Sequence, residues 1–253
     1  MRNPYTQNLS RIEFVITYAC TGRCKHCSEG EHSADGVHID GDVAAESIRK
    51  TAAQYRIESV MTFGGEPLLY PAEVCKIHAA AREAGIPKRQ LITNGFFSRD
   101  DGKIQDVAGR LAECSVNDIL LSVDAFHQET IPLAPVMSFA RAALAAGSQR
   151  VRAHPAWLTD QAASNPYNDK TREILSAFSG MGVEISEGNI IFPSGNARKY
   201  LKEYFDPGLP QRNPYEEDPR DIRAVCVNPN GDVLGGNIYT KGLTEILANH
   251  MPE

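Results

Sequence analysis

Short apolar runs alternate with stretches of helical periodicity through the first 190 residues of this 253-residue chain. One such stretch shows the i, i+3, i+4 and i+7 spacing of a core-facing helical stripe: Ile104, Val107, Ala108 and Leu111. The predicted strands are 11–17, 58–63, 89–93, 118–123, 151–154 and 183–192, the last broken near Gly188. The predicted helices are 43–55, 71–84, 104–111, 132–146 and 174–181. Repeated strand–helix units favour a parallel sheet with right-handed crossovers, so the pattern predicts an open six-stranded α/β fold.

Composition restricts where such a chain can act. A hydrophobic fraction of 42% is enough to bury a full core, and the formal charge of −6 gives no reason to expect a nucleic-acid or membrane partner. No run of about 18 apolar residues and no signal-peptide pattern is present, so we expect a cytoplasmic protein. Six cysteines in a cytoplasmic chain indicate metal ligands or free thiols before they indicate disulfides.

Three of these cysteines, Cys20, Cys24 and Cys27, lie within eight residues, directly after the first predicted strand. A short loop that leaves a strand can turn three thiolates toward one point, which suits an iron–sulfur cluster because iron accepts soft sulfur ligands. A four-iron cluster with three cysteine ligands has one iron free to coordinate a small molecule. The alternative is a zinc site, which would need a fourth ligand such as His26 or His32.

Glycines and polar residues end the next three strands. Gly64-Gly65-Glu66-Pro67 follows the second strand, Thr93-Asn94-Gly95 the third, and Ser122-Val123-Asp124 the fourth. Together with the cysteine loop, these segments resemble the radical S-adenosylmethionine (SAM) enzymes. The resemblance implies a partial (β/α)6 barrel that binds a [4Fe-4S] cluster and SAM at the carboxyl ends of its strands. It also implies reductive cleavage of SAM to a 5′-deoxyadenosyl radical that removes a hydrogen atom from a substrate.

The resemblance assigns the cofactor contacts by position. Gly64, Gly65 and Glu66 would bind the amino group of the methionine half of SAM, although such a turn alone could be structural. Asn94, Ser122 and Asp124 could contact the ribose and the methionine carboxylate, or could merely end strands and cap helices. Arg152 on the fifth strand could pair with that carboxylate or face solvent. His26, which precedes the third cysteine, could stack beside the adenine or be an exposed loop histidine.

Substrate contacts are predicted at two histidines and one cysteine. His127 lies just beyond the fourth strand and His154 ends the fifth, so both are expected near the cavity mouth, although either could be a structural histidine. Cys226 could donate a hydrogen atom to a substrate radical or be a small hydrophobic residue like Cys75 and Cys114.

The C-terminal 48 residues form the second predicted region, 206–253, after a barrel at 1–205. Segments 224–227 and 232–234 flank Asn230-Gly231, a strong hairpin-turn signal, and 243–247 is helix-like. This tail is similar to the SPASM extension of some radical SAM enzymes. No cysteine follows Val233, so we expect a shortened version without auxiliary clusters, packed on the barrel.

Several functions fit this sequence. SPASM-like tails favour modification of a peptide or protein, as in maturases of ribosomally made peptides. About ten residues precede the first strand, so we expect any leader-binding domain to be a separate protein. Alternatives are an activase for a glycyl-radical enzyme or a small-molecule radical SAM enzyme. Non-enzymatic alternatives are an iron–sulfur electron carrier or a zinc-binding module. The expected partners are a peptide or small-molecule substrate and an external one-electron reductant of the flavodoxin or ferredoxin type.

Overall fold

A computed structural model describes residues 3–32, 36–206, 208 and 213–252. The strands are β1 Arg11–Val15, β2 Ser59–Phe63, β3 Lys88–Thr93, β4 Asp118–Ser122, β5 Val151–His154, β6 Ala156–Trp157, β7 Glu184–Ile185, β8 Asn189–Ile190, β9 Ala224–Val227, β10 Asp232–Val233 and β11 Gly236–Asn237. The helices are α1 Gly41–Ala52, α2 Pro71–Glu83, α3 Asp101–Glu113, α4 Ala125–Gln128, α5 Leu133–Ala145, α6 Pro166–Ser176, α7 Gly195–Tyr200 and α8 Leu243–Asn249. Short 3₁₀ turns cover Pro67–Leu69 and Lys202–Tyr204.

An open parallel sheet organises the molecule. Its strand order is β7-β5-β4-β3-β2-β1-β9, and every neighbouring pair is parallel. The alternating strand–helix pattern therefore predicted the fold class correctly. Because β1 to β4 are neighbours in chain order, the loops after these strands emerge side by side at one edge of the sheet.

Local sequence signals explain where the helices begin. The Asp40 carboxylate accepts hydrogen bonds from the backbone N–H groups of Asp42 and Val43 at the start of α1. Asp100 caps α3 in the same way, and α2 begins at Pro71, whose missing N–H costs nothing in the first turn. Apolar faces of these helices and of the strands form one continuous core that includes Phe14, Leu91 and Phe139.

The sixth predicted strand is split in the structure. Residues 184–185 form β7 beside β5, whereas residues 189–190 form β8, which pairs with β6 in a separate two-stranded sheet. The break falls at Gly188, as the sequence predicted. Gly188 has a φ of +76°, and a Cβ there would lie 2.1 Å from the Pro155 carbonyl oxygen, so only glycine fits this crossing.

The C-terminal region contains a hairpin, but not the predicted one: β10 and β11 form it, with a turn at residues 234–235. The segment 224–227 was expected as one arm of the predicted hairpin and instead forms β9, a seventh strand parallel to β1. The reason is burial, because Val225 and Val227 pack into the main core beside β1. Helix α8 follows, as predicted, and the Asn3 side chain donates to the carbonyl oxygens of Leu247 and His250. A boundary near residue 205 and the SPASM-like character of the tail stay predictions.

Within the described residues, no helix is both long and apolar enough to cross a lipid bilayer.

Candidate active site

A cavity of about 220 Å³ opens at the carboxyl edge of the sheet. Its wall is built by the loops after β1 to β5 and by residues 189–192. The predicted site residues that line it are Cys20, Cys24, His26, Cys27, Gly64, Gly65, Asn94, Ser122, Asp124, His127 and His154. The structure thus brings most of the residues predicted from separate motifs to one place. Glu66, Arg152 and Cys226 lie outside this lining.

The cysteine loop is shaped by short-range contacts. The Thr17 hydroxyl accepts from the Ala19 N–H at 3.1 Å, and the Cys27 N–H donates to the Cys24 carbonyl at 3.3 Å. Burial raises the pKa of the Cys20 thiol to about 11 and also raises the pKa values of Cys24 and Cys27. Without a metal, the three sulfur atoms therefore hold their protons at neutral pH, and metal binding must displace these protons.

The spacing of the three thiols can be compared with the spacing that a single zinc ion requires. With Zn–S bonds of about 2.3 Å, a tetrahedral zinc site holds its sulfur atoms about 3.8 Å apart. Within the described residues, the one set of three or more ligand atoms that all lie within 4.8 Å of one another is His26, Asp124 and His127. The cysteines are absent from that set although all three line one cavity. At least one pair of these sulfur atoms therefore lies farther apart than a single zinc ion would hold it, although the His32 ring nitrogen Nε2 lies 3.5 Å from the Cys27 sulfur.

The paired glycines pack directly on the backbone that precedes Cys20. Gly65 N–H donates to the Thr17 carbonyl and Glu66 N–H to the Ala19 carbonyl, both at 2.8 Å. A Cβ on Gly65 would lie 2.1 Å from the Ala19 carbonyl oxygen, and Gly64 has a φ of +140°. The turn therefore requires glycine at both positions. Gly64 and Gly65 line the cavity, and the N–H groups of Gly65 and Glu66 are already bonded to the loop before Cys20.

Glu66 lies behind the cavity wall. Its carboxylate is fully buried and accepts from Leu68 N–H at 2.8 Å, the Thr93 hydroxyl at 2.7 Å and Asn94 N–H at 2.9 Å. Burial raises its pKa to about 7, against the lowering effect of these donors. The placement differs from the direct ligand contact implied by the resemblance: here Glu66 ties the end of β2 to the end of β3. Sequence reasoning missed Thr93, although it stands in the quoted Thr93-Asn94-Gly95 segment.

Asn94 links β3 to the cysteine loop. Its side-chain nitrogen lies 3.1 Å from the Thr21 hydroxyl and 3.5 Å from the Cys20 sulfur, and its side-chain oxygen accepts from Phe96 N–H at 2.8 Å. The contacts identify Asn94 as a residue that orients the loop, in addition to lining the cavity.

Asp124 and His127 form a buried acid–imidazole pair. Asp124 is fully buried, and its carboxylate accepts from the His127 ring nitrogen Nδ1 at 2.8 Å, from His127 N–H at 2.9 Å and from Ala156 N–H at 3.0 Å. Desolvation alone would raise the Asp124 pKa, but the His127 ring and these donors outweigh it and hold the pKa well below its usual range. An ionised Asp124 fixes the orientation of His127 on the cavity wall.

His26, in the cysteine loop, packs against this pair. Its ring centroid lies 4.7 Å from that of His127 and 5.0 Å from that of Phe126. Burial lowers the His26 pKa to about 4, so the ring is neutral at physiological pH. On the far wall, the His154 Nδ1 lies 2.7 Å from the Ser186 hydroxyl.

Two predicted site residues lie elsewhere. The Arg152 guanidinium forms a two-point ion pair with the Asp118 carboxylate, with distances of 2.9 and 2.6 Å, on the side of the sheet below the cavity. A contact between Arg152 and a cofactor carboxylate would have to break this pair, so we withdraw that assignment. Cys226 is an exposed residue opposite Glu13 in the β1–β9 register and does not line the cavity. Its predicted catalytic role has no support from this placement.

Sheet topology, the three cavity-facing thiols and the glycine turn define a cofactor-binding α/β protein with its site at the carboxyl edge of the strands. The model of the Radical SAM superfamily matches residues 14–150, more than half of the chain. The chain belongs to this superfamily and is an enzyme of the class that uses a [4Fe-4S] cluster and SAM.

Curated relatives match about half to three fifths of the chain. The probable GTP 3′,8-cyclase of Methanocaldococcus jannaschii is 23% identical over 129 residues, which cover 51% of this chain and 41% of that protein. The GTP 3′,8-cyclase of Aeromonas hydrophila is 28% identical over 160 residues, which cover 60% and 46%. The chain thus spans less than half of the length of these relatives.

Solved structures match almost the whole fold. SuiB of Streptococcus suis bound to its precursor peptide SuiA gives a TM-score of 0.63 at 12% identity, covering 98% of this chain and 66% of that chain. Native anSMEcpe with bound AdoMet gives 0.58 at 13% identity, covering 96% and 81%. At these identities the likeness shows the fold.

Proposed function

We propose that this enzyme uses a SAM-derived radical to remove a hydrogen atom from a peptide or protein substrate. The observation that carries the radical chemistry is one cavity lined by the three cysteines, by both glycines of the turn and by the Asp124–His127 pair. When bound there, the cluster and SAM supply a 5′-deoxyadenosyl radical. The reaction beyond hydrogen removal depends on the residues that face the substrate.

Each residue has a role that follows from its contacts. Cys20, Cys24 and Cys27 hold the cluster. The Gly64 and Gly65 carbonyls accept from the cofactor's ammonium group, while Glu66 and Asn94 hold the turn and the loop in register. These contacts keep the cofactor's position fixed relative to the cavity opening.

His127 is the acid–base residue of the cavity in this proposal. The Asp124 carboxylate accepts a hydrogen bond from His127 Nδ1, so the other ring nitrogen, Nε2, can exchange a proton with a substrate. Ser122, beside this pair on the cavity wall, is kept as a contact for the cofactor ribose.

Two observations support a peptide substrate. SuiB bound to the precursor peptide SuiA matches 98% of the chain, and anSMEcpe with bound AdoMet and Cp18Cys peptide matches 94%, in both cases including C-terminal residues. Within the described residues, β7 and β9 end the sheet without pairing to each other. The open side gives an extended peptide lateral access to the cavity. Ile190, Phe192 and Tyr215 also line the cavity, and Ile190 and Tyr215 are exposed.

Small-molecule chemistry is the second candidate because the curated sequence relatives are GTP 3′,8-cyclases. These matches cover 51% and 60% of this chain but less than half of each relative, so the cyclase reaction is not carried over as a whole. A glycyl-radical activase remains a further alternative within the superfamily.

The radical chemistry is tested with anaerobically reconstituted protein reduced in the presence of SAM. We expect release of 5′-deoxyadenosine, loss of this activity in Cys24→Ala, and retention in the matched control Cys114→Ala, whose thiol lies outside the cavity. A brown protein that binds no SAM would indicate an electron carrier instead.

The substrate class is tested by offering GTP and short peptides encoded beside the gene. A mass change in a peptide, with transfer of deuterium from labelled peptide into 5′-deoxyadenosine, supports our proposal. Consumption of GTP would favour the small-molecule candidate.

A further inference from the structure

Two cysteines outside the cavity meet where α2 packs against the end of α3. Cys75 lies in α2, and Cys114 directly follows the last residue of α3. The Cys75 sulfur lies 3.6 Å from the Arg110 carbonyl oxygen, and the Cys114 N–H donates to the same oxygen at 2.9 Å. Neither cysteine lines the cavity. Helix packing therefore brings two further thiols together, separate from the cysteine loop.

A neighbouring hydrogen bond holds the same two helices together. The Arg82 guanidinium in α2 donates to the hydroxyl of Ser115, the residue after Cys114, at 3.3 Å. Cys75 and Cys114 are each partly exposed, and both pack against the main core. The two thiols are therefore kept close together, and small molecules in the solvent can reach them.

The two thiols differ in acidity. A hydrogen bond between them lowers the pKa of Cys75 and raises the pKa of Cys114. Burial raises the pKa of both thiols, but at Cys75 the nearby Arg110 guanidinium acts in the opposite direction. The thiolate is the attacking species in thiol–disulfide exchange, so Cys75 is the thiol that reacts first and Cys114 the one that follows.

We propose that Cys75 and Cys114 form a redox site, which a low-molecular-weight disulfide such as oxidised glutathione converts to a reversible disulfide between α2 and α3. The Cys75 thiolate attacks one sulfur of oxidised glutathione, whose S–S bond breaks and releases one glutathione thiolate. The Cys114 thiol then gives up its proton and attacks the Cys75 sulfur, so that the mixed disulfide breaks and the second glutathione leaves. The two protein thiols lose two electrons and two protons, and one oxidised glutathione becomes two glutathione thiols.

The test uses reconstituted holoenzyme, in which the cluster occupies the thiols of the cysteine loop, and oxidised glutathione as the probe under anaerobic conditions. Free thiols are then blocked with N-ethylmaleimide, and tryptic peptides are mapped by mass spectrometry without reduction. Cys75 and Cys114 fall in different tryptic peptides, 57–76 and 111–141, each with one cysteine. Cys114→Ser is the matched variant, because it keeps Cys75 and removes the second thiol. Exposed Cys226 is the internal control for non-specific modification.

We expect the two peptides to be joined by a disulfide that dithiothreitol reverses, with the iron content of the holoenzyme unchanged. The bond closes a loop of about 40 residues, so oxidised protein should have a higher urea midpoint than reduced protein. In Cys114→Ser, Cys75 should instead keep glutathione as a mixed disulfide. The proposal is overturned if wild-type holoenzyme carries glutathione on Cys75 without joined peptides, if neither thiol reacts, or if either thiol is joined to Cys226. These readouts need no SAM cleavage, so they are independent of the proposed function.

Discussion

Replacing Gly65 by alanine tests how the glycine turn supports the cluster loop. The new Cβ would lie 2.1 Å from the Ala19 carbonyl oxygen, 2.6 Å from its carbon and 2.9 Å from the Tyr18 carbonyl oxygen. All three are backbone atoms, so no side chain can rotate away. The backbone before Cys20 has to retreat by roughly 1 Å to reach even a tight contact, because carbon atoms are in optimal contact at about 3.5–4.0 Å.

The retreat acts on stability and on the cluster together. Overpacking costs about 1–3 kcal/mol, and the hydrogen bond from Glu66 N–H to Ala19 contributes about 1 kcal/mol. We therefore expect Gly65→Ala to lower the free energy of unfolding by about 2–4 kcal/mol. The displaced Cys20 should also reduce iron incorporation and SAM binding.

Urea unfolding, iron and sulfide content, and equilibrium dialysis with SAM measure these effects under anaerobic conditions. Gly109→Ala is the control, because Gly109 lies inside α3 with no atom within 4 Å of an added Cβ. This change should raise the free energy of unfolding by about 0.5–1 kcal/mol and leave the cluster intact. Gly65→Ala protein with wild-type iron content and an unchanged urea midpoint would refute the reasoning.

Three further predictions concern buried polar groups. Burial lowers the pKa of His78 to about 3, below its usual 6.5, so the folded protein favours the neutral ring. The free energy of unfolding should therefore fall by about 1.4 kcal/mol for each pH unit below 6.5. His78→Leu should remove this slope, measured by urea titrations at several pH values. Glu66→Gln places an NH₂ group among N–H and O–H donors and should cost about 1–3 kcal/mol, measured by the urea midpoint at pH 7.5. Arg152→Met leaves the Asp118 carboxylate, 7% exposed, without its cation, and should lower the free energy of unfolding by about 3–5 kcal/mol. The affinity for SAM should be unchanged. A loss of SAM affinity in a stably folded variant would restore Arg152 as a cofactor contact.

The sequence predicted the fold class well for two reasons. The period of the apolar residues is a local property of the sequence, and β1 to β4 are neighbours in the sheet in the same order as in the chain. Each of the first five predicted strands overlaps an observed strand, and the sheet keeps β1 to β4 in chain order. The seventh strand was missed for a physical reason. Asn230-Gly231 is a real turn, but Val225 and Val227 are buried and the strand that contains them pairs with β1, which lies far away in the sequence.

At the site, the motifs predicted which residues come together but not which way each side chain points. Gly64 and Gly65 line the cavity, whereas the adjacent Glu66 is directed into the interior, where three donors satisfy it. Arg152 alternates with apolar neighbours on β5, a pattern that cannot distinguish solvent, cofactor and Asp118 as its partner. Only the register of β4 and β5 brings Arg152 and Asp118 together.

The order of strands also explains why residues from several loops meet at one small cavity. The loop after β1 holds the thiols, and the turn after β2 donates backbone N–H groups to the β1 loop at Thr17 and Ala19. The end of β3 contacts both, because Asn94 reaches Thr21 while its N–H binds Glu66. Each loop is therefore positioned by the next, and a change at one strand end should be felt at its neighbours. The loop after β4 joins this series directly, because Arg23 N–H donates to the Thr130 hydroxyl and the His26 ring lies 4.7 Å from the His127 ring. A displaced thiol loop should therefore also shift the Asp124–His127 pair.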